Sequence, residues 1–411
     1  MTASRPELPA SSPADNRIGV LYFTSSPFIG GACYGVRSII RQLDKQRFRP
    51  LLAVPESSAQ IVSFFEEAGI QVVIIRSERL SRRSLTVPID FLQAVRQLAK
   101  IIRQHRVQIF HSTAPRAALV GPLLRMVTGV KFVYQLNMLG ESRYLHLLAR
   151  LANRAPCVSR AVYEEYGARP HMQVIYNGPW TERLSLEQIR ERRQRLRAEL
   201  GISEQTLVVG SVSNFVYWKG NHVLIQAFAK IARQIEDVVV VHVGGTAPGY
   251  EQYQCEMEAL IESLGIGSRY IRLGFQPDGY RYYPLFDVFV HVPVVEGRYR
   301  HTEAFGHSVA EAMAYALPVI TSRLGGPAEI VQEGVSGELI EPGDSEQLAT
   351  KILELLADRQ RREKMGRAGY DRYQRCFTIE QEVRQYEELY ESLLAASQHR
   401  EKGKWTASLT G

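Results

Sequence analysis

Two carboxylates eight residues apart, Glu303 and Glu311, stand on either side of a glycine, Gly306, at which a helical pattern begins in the run HTEAFGHSVAEAMAYA. The first amides of a helix have no partner within it and lie at the positive end of its dipole, so Gly306, His307, Ser308 and Val309 suit an anion such as a phosphate. Each carboxylate can accept hydrogen bonds from the hydroxyls of a sugar or ribose ring. A diphosphate flanked by two sugars matches all three features; taken alone, the spacing also fits a surface loop followed by an exposed helical glutamate. Other candidates lie in loops that follow apolar runs. Gly30 and Gly31 follow the first run, where the lack of a side chain permits close approach of backbone to ligand. Lys219 follows another in the sequence YWKG. His111 ends a third, where contact with a ligand and a satisfied structural histidine are both open. Arg298 to His301 (RYRH) sets cations beside the Glu303 loop. No DxD sequence occurs, and Cys33, Cys157, Cys255 and Cys376 form no CxxC pair, so neither an obligatory metal nor a disulfide framework is expected.

Positioning these residues requires strand ends. Residues 17–23 (RIGVLYF) read as a strand, followed by a glycine-containing loop and the helical pattern VRSIIRQL. The alternation continues through FRPLLAV, IQVVIIR, VQIFHS and KFVYQL, with helical patterns between them, and restarts after residue 200 with TLVVGSVS, DVVVVHVGG, YIRLGF, DVFVHVP and PVITS. Such a rhythm predicts α/β architecture with two doubly wound parallel sheets. The expected domains are 17–190 and 191–377, joined near residues 180–200, with a helix over 378–396 that packs back on the first domain. Residues 1–16 and 397–411 read as frayed ends. In such sheets ligands bind beyond the carboxyl ends of the strands.

At this point the residues resemble a known family. The run EAFGHSVAEAMAYALPVITSRLGGPAEIVQEGVSGELIEPGD, from Glu303 onward, looks like the signature of the retaining glycosyltransferases of family 4, which have the GT-B fold of two Rossmann-like domains facing a central cleft. VSRAVYEEY followed by VIYNGPW resembles the family's domain junction, VVGSVSNFVYWKGNHVLIQAF its phosphate-binding strand and loop, and YIRLGFQPD, which contains Phe275, its base-contacting strand end. The resemblance implies that Glu303 contacts the donor sugar and Glu311 the ribose hydroxyls, with the segment Phe305 to Ser308 against the sugar and diphosphate. Lys219 would pair with the diphosphate as UDP or GDP leaves, and Gly30 and Gly31 would approach it from the opposite side. Two positions depart from the pattern. Asn214 stands where the family usually has arginine, so another basic residue, Arg323, Arg298 or Arg300, would have to compensate. Asn137 stands where a histidine is frequent, and an amide cannot exchange a proton near neutral pH. The retaining chemistry of the family is thought to need no dedicated base.

The resulting expectation is an enzyme that moves a sugar from a UDP or GDP sugar to a glycan or lipid-linked acceptor. The alternative is a catalytically weak sugar-nucleotide or glycan-binding homologue. A nicotinamide dehydrogenase is disfavoured, because GGACYG replaces G-x-G-x-x-G after the first strand. Charge is uneven: residues 1–180 hold 23 Lys+Arg against 11 Asp+Glu, a net of +12, whereas the whole chain is +7. A basic face attracts anionic membrane, an anionic substrate or nucleic acid, and a solvated face needs no partner. No nucleic acid is expected. With no apolar run near 18 residues and no signal-type start, a cytoplasmic location is expected, including the inner-membrane surface.

Overall fold

A computed structural model describes residues 15–24, 31–55, 59–75, 87–140, 143–179, 181–182, 184–295 and 302–408. Gly30, Arg298, Arg300 and His301 lie outside them. The first lobe is built on β1 (Ile18–Phe23), β2 (Phe48–Pro55), β3 (Val72–Ile75), β4 (Val107–Ser112) and β5 (Lys131–Tyr134), all parallel and ordered β3-β2-β1-β4-β5. A short parallel pair, β6 (Ala155–Cys157) and β7 (Met172–Val174), extends this layer through bridges from Val133 to Arg154 and from Leu136 to Cys157. The second lobe holds β8 (Leu207–Val212), β9 (Val238–Val243), β10 (Tyr270–Arg272), β11 (Val288–His291), β12 (Val319–Ser322) and β13 (Glu338–Ile340), ordered β10-β9-β8-β11-β12-β13 and again parallel.

Strands covered on both faces require continuous apolar runs, which is why β1 reads IGVLYF and β9 VVVVHV. Packing is close enough that Gly210 on β8 admits no side chain, since a Cβ there would lie 2.1 Å from the Phe286 ring. The strand order reverses between β1 and β4 and between β8 and β11. Those reversals open a crevice at the carboxyl edge of each sheet.

The helix Ile379–Ser408 returns to the first lobe, where Val383, Tyr386, Leu389 and Tyr390 share one buried cluster with Val20 and Tyr22 of β1 and Phe48 and Leu52 of β2. The stretch 397–408, expected to be frayed, is helical; it holds a single glycine and no proline to stop the helix. The helical patterns RAALVGPLLRMVTG (116–129) and SEQLATKILELLADRQRREKMGRAGYDRYQRC (345–376) are each divided in two. The 116–129 pattern forms Pro115–Ala118 and Gly121–Thr128, the latter closed by Gly129 at φ 76°. The long charged pattern after Ser345 breaks at Asp358, whose carboxylate caps the next helix by accepting from the Arg361 amide at 2.9 Å.

Candidate functional site

The carboxyl edges of the two sheets line a shared cavity of about 520 Å³, with Gly31, Thr113, Gln135 and Asn137 on one side and Lys219, Glu303, Phe305 and His307 on the other. Lys219 closes the turn Tyr217–Lys219 that follows β8. Gly220, at φ 68°, lets this turn sit against the exit of β11, because a Cβ there would lie 1.9 Å from the Val292 carbonyl oxygen. The Lys219 ammonium pairs with the Glu303 carboxylate. The glycine pair after β12 holds Glu303 from behind: the Gly326 amide donates to the Glu303 carbonyl at 3.0 Å, and a Cβ on Gly325 would lie 2.4 Å from the same oxygen. Burial pushes the Glu303 carboxyl upward, but the Lys219 charge and His291, whose Nε2 lies 3.7 Å away, outweigh it and hold the group well below the usual carboxylate range.

Glu311 lies inside the helix His307–Ala314 and accepts a hydrogen bond from the Tyr283 hydroxyl at 2.7 Å. That hydroxyl is also 3.1 Å from the Ser308 carbonyl, so its one proton is shared between two acceptors. Burial pushes Glu311 up to about 6 in spite of this donor. The two glutamates therefore have opposite electrostatics.

At the helix start, Gly306 adopts φ 106° and the Val309 amide is spent on the Gly306 carbonyl at 3.0 Å. Val309 therefore drops out of the expected anion seat, which leaves the amides of His307 and Ser308 without an intrahelical acceptor. His307 spans the lobes, its Nε2 3.2 Å from the Asn177 amide nitrogen and its ring beside Gly31. Burial lowers its pKa to about 4. The Phe305 ring is buried against Tyr176 and Phe377, so any contact it makes with a polar ligand is through its backbone. Asn137 donates to the Thr113 carbonyl at 2.9 Å and lines the cavity.

Other expected residues stand apart. Asn214 is exposed beyond β8, and Phe275, 69% exposed, follows β10. Arg323 is corrected as a compensating cation: its guanidinium is bound by Glu333 at 2.6 Å and Glu341 at 3.2 Å. His111 is likewise corrected as a ligand contact. It is fully buried, its Nδ1 is 2.6 Å from the Tyr390 hydroxyl, and its ring lies 5.0 Å from Tyr22 and 5.2 Å from Tyr386. Burial alone lowers it to about 3, so it packs as a neutral core group.

Sequence reasoning missed Thr113, Gln135, Asn177, Trp218 and Glu382, all of which line the cavity. Glu382 comes from the returning C-terminal helix, accepts from the Gly178 amide at 2.7 Å, and is pushed up to about 8 by burial. No local pattern marks it, since only the helix's return brings it to the cleft.

Comparison with known proteins agrees with this geometry. Residues 192–372 match the family model described as Glycosyl transferases group 1, and residues 29–183 match Glycosyltransferase Family 4. The chain is 30% identical over 200 residues to the N-acetyl-alpha-D-glucosaminyl L-malate synthase of Bacillus anthracis, a match spanning 49% of each chain. It is 25% identical over 308 residues to the GDP-mannose-dependent alpha-(1-6)-phosphatidylinositol monomannoside mannosyltransferase of Mycolicibacterium smegmatis, covering 71% of this chain and 78% of that protein. Among solved structures it resembles Anabaena HepE in complex with UDP and glucose, at 24% identity and a TM-score of 0.77, covering 92% of this chain and all of that one. With matched models on both lobes, two facing Rossmann-like sheets and the shared cleft, the chain belongs to glycosyltransferase family 4, the sugar-transferring enzymes of GT-B fold.

Proposed function

We propose that this chain transfers a hexose-type unit, with retention at the anomeric carbon, from a nucleoside diphosphate sugar to a hydroxyl of a glycan or lipid-linked acceptor, without an obligatory metal. The observation that carries the reading is the Lys219–Glu303 pair in the interlobe cavity. Lys219 and the amides of His307 and Ser308 would neutralise the departing diphosphate, which is the main electrostatic demand of the reaction. Glu303 would accept from donor-sugar hydroxyls and Glu311 from the ribose, with Asn137 orienting a hydroxyl from the opposite lobe. In the step itself the bond from the anomeric carbon to the β-phosphate oxygen breaks and a bond to the acceptor oxygen forms on the same face. The acceptor proton passes to the leaving phosphate oxygen.

Release of UDP from UDP-glucose and of GDP from GDP-mannose tests this reading. We expect turnover with one of them, abolished by Glu303→Ala while the melting temperature stays within a few degrees of wild type. Tight nucleotide binding without turnover on any donor would favour the binding homologue instead.

The acceptor side carries its own observation. Residues 87–154 hold ten Lys+Arg against two Asp+Glu, a net of +8 in a chain of +7 overall. On the same lobe Met126, Tyr144 and Leu147 are 75%, 52% and 55% exposed. Cations interleaved with exposed apolar side chains suit the surface of an anionic bilayer, which supports an acceptor presented there. Among the described residues no helix is long and apolar enough to cross a membrane.

A further inference from the structure

Among the described residues, neither expected position supplies a second cation to the donor side. Asn214 is neutral, and Arg323 is already bound by two carboxylates. A titratable group nevertheless stands directly against the Lys219–Glu303 pair. His291, the last residue of β11, is 2% exposed, and its carbonyl accepts from the Thr321 hydroxyl at 2.6 Å. Neither ring nitrogen has a hydrogen-bond partner among the described residues, and Nε2 lies 3.7 Å from the Glu303 carboxylate. A buried imidazole always carries an N–H, and leaving that donor unsatisfied costs free energy, so the arrangement calls for a partner in another state of the site.

We propose that His291 is a positioning residue that takes over Glu303 when the diphosphate of the donor draws Lys219 away. The inference rests on the donor reading above. The Lys219 ammonium neutralises Glu303. A bound diphosphate competes for that ammonium with a greater negative charge. Glu303 would then be a carboxylate without a counter-ion beside a second anion, in a site where charges are poorly screened. A shift of roughly 1 Å brings Nε2 to charge-assisted hydrogen-bonding distance of Glu303. The charge that has lost its counter-ion also raises the proton affinity of the ring, so the imidazole takes a proton from the buffer and becomes a second cation beside Lys219.

The charged groups facing His291 are Glu303, from the loop after β11, and Lys219, from the turn after β8; His307 is coupled to the same pair. Burial first, and the Lys219 charge as well, outweigh the upward pull of Glu303 and hold His291 below its ordinary value. It is therefore neutral near pH 7 before the donor arrives. Its pKa is lowered in the free state and raised in the complex, so donor binding takes up a proton between the two values. Affinity then falls as pH rises through the higher one.

Calorimetric titration of the full chain with UDP-glucose and with GDP-mannose, near neutral pH in buffers of different ionisation enthalpy, tests the handover. The bridging diphosphates of these probes have no group titrating in that range, so proton uptake reports the protein. We expect uptake in the wild type, its loss in His291→Gln, its retention in His307→Gln, and about tenfold weaker binding by His291→Gln at pH 7, or ~1.4 kcal/mol. Should His291→Gln misfold, the ring resonances of the wild-type histidine provide the second measurement, and they should move to the protonated position on donor addition. Binding without uptake, uptake that survives His291→Gln, uptake lost in His307→Gln, or unmoved ring resonances would each overturn the proposal. Absence of binding by both probes would instead bring down the donor reading on which it rests.

Discussion

Glu303 and Glu311 share a residue type and a local pattern, yet their surroundings drive them apart. Lys219 holds the first ionised, whereas for the second the shared tyrosine hydroxyl and the more distant Lys219 charge do not offset burial, which pushes it up to about 6. If Glu311 accepts from the ribose as a carboxylate, the donor KM should rise as pH drops through about 6. Removing the Tyr283 hydroxyl takes away the donor that lowers this pKa, so Tyr283→Phe should move the rise to higher pH. At pH 7 a KM increase of about tenfold, equivalent to ~1.4 kcal/mol, with little change in kcat is expected. A KM profile identical to wild type would exclude Tyr283 as the group that fixes Glu311. Glu382 gives a stability prediction. Its folded pKa is raised to about 8, so the native state binds the proton more tightly than the unfolded chain, and stability should be lost as pH rises from about 4.5 to about 8. Glu382→Gln keeps an acceptor for the Gly178 amide without that penalty. Its melting temperature should exceed that of wild type by several degrees at pH 9, and the gain should vanish at pH 4.

At the scale of elements, the site depends on glycines that let turns pack against strand exits. Gly220 lets the Lys219 turn meet the end of β11, and Gly325 and Gly326 let the segment after β12 lie under the Glu303 loop. Gly220→Ala places a methyl group into the Val292 carbonyl at a positive φ. We expect a loss of about 1–3 kcal/mol in denaturant titrations, together with weaker donor binding, because Lys219 must move. A wild-type denaturation midpoint would show that the turn relaxes freely. In sequence these glycines read only as punctuation of loops. Their role is fixed by backbone atoms that approach from 72 residues away for Gly220 and from about twenty for the glycine pair, a proximity that no local pattern encodes.

For the whole molecule, the two lobes divide the charge: one lobe is strongly basic, and the chain beyond residue 180 is net negative, at +7 minus +12, or −5. Electrostatic docking on a bilayer should use the basic lobe and weaken with salt. Replacing Arg143 and Arg150 by Glu, with Met126→Asp, should abolish co-sedimentation with anionic vesicles while leaving hydrolysis of a soluble donor near wild type. Equal binding to neutral and anionic vesicles at all salt concentrations would rule out the electrostatic part of the surface.

The alternating periodicity of strands and helices was legible in the sequence, because buried parallel strands demand apolar runs and their covering helices demand amphipathic stripes. So was the helix that starts just after Gly306; the Lys219–Glu303 ion pair was not, since the sequence directs Lys219 to a diphosphate and Glu303 to a sugar hydroxyl. Contacts made across the chain were not legible. His111 reads as a strand-end histidine, but Tyr390, 279 residues later, encloses it; Arg323 reads as a free cation, but Glu333 and Glu341 hold it. Glu382 and His291 carry no motif at all: the first reaches the cleft only because a helix returns to the first lobe, and the second meets Glu303 only because a strand ends behind that carboxylate. Local sequence sets which groups each element presents; which of them meet, and with what protonation, is decided by burial and by partners that only the tertiary fold supplies.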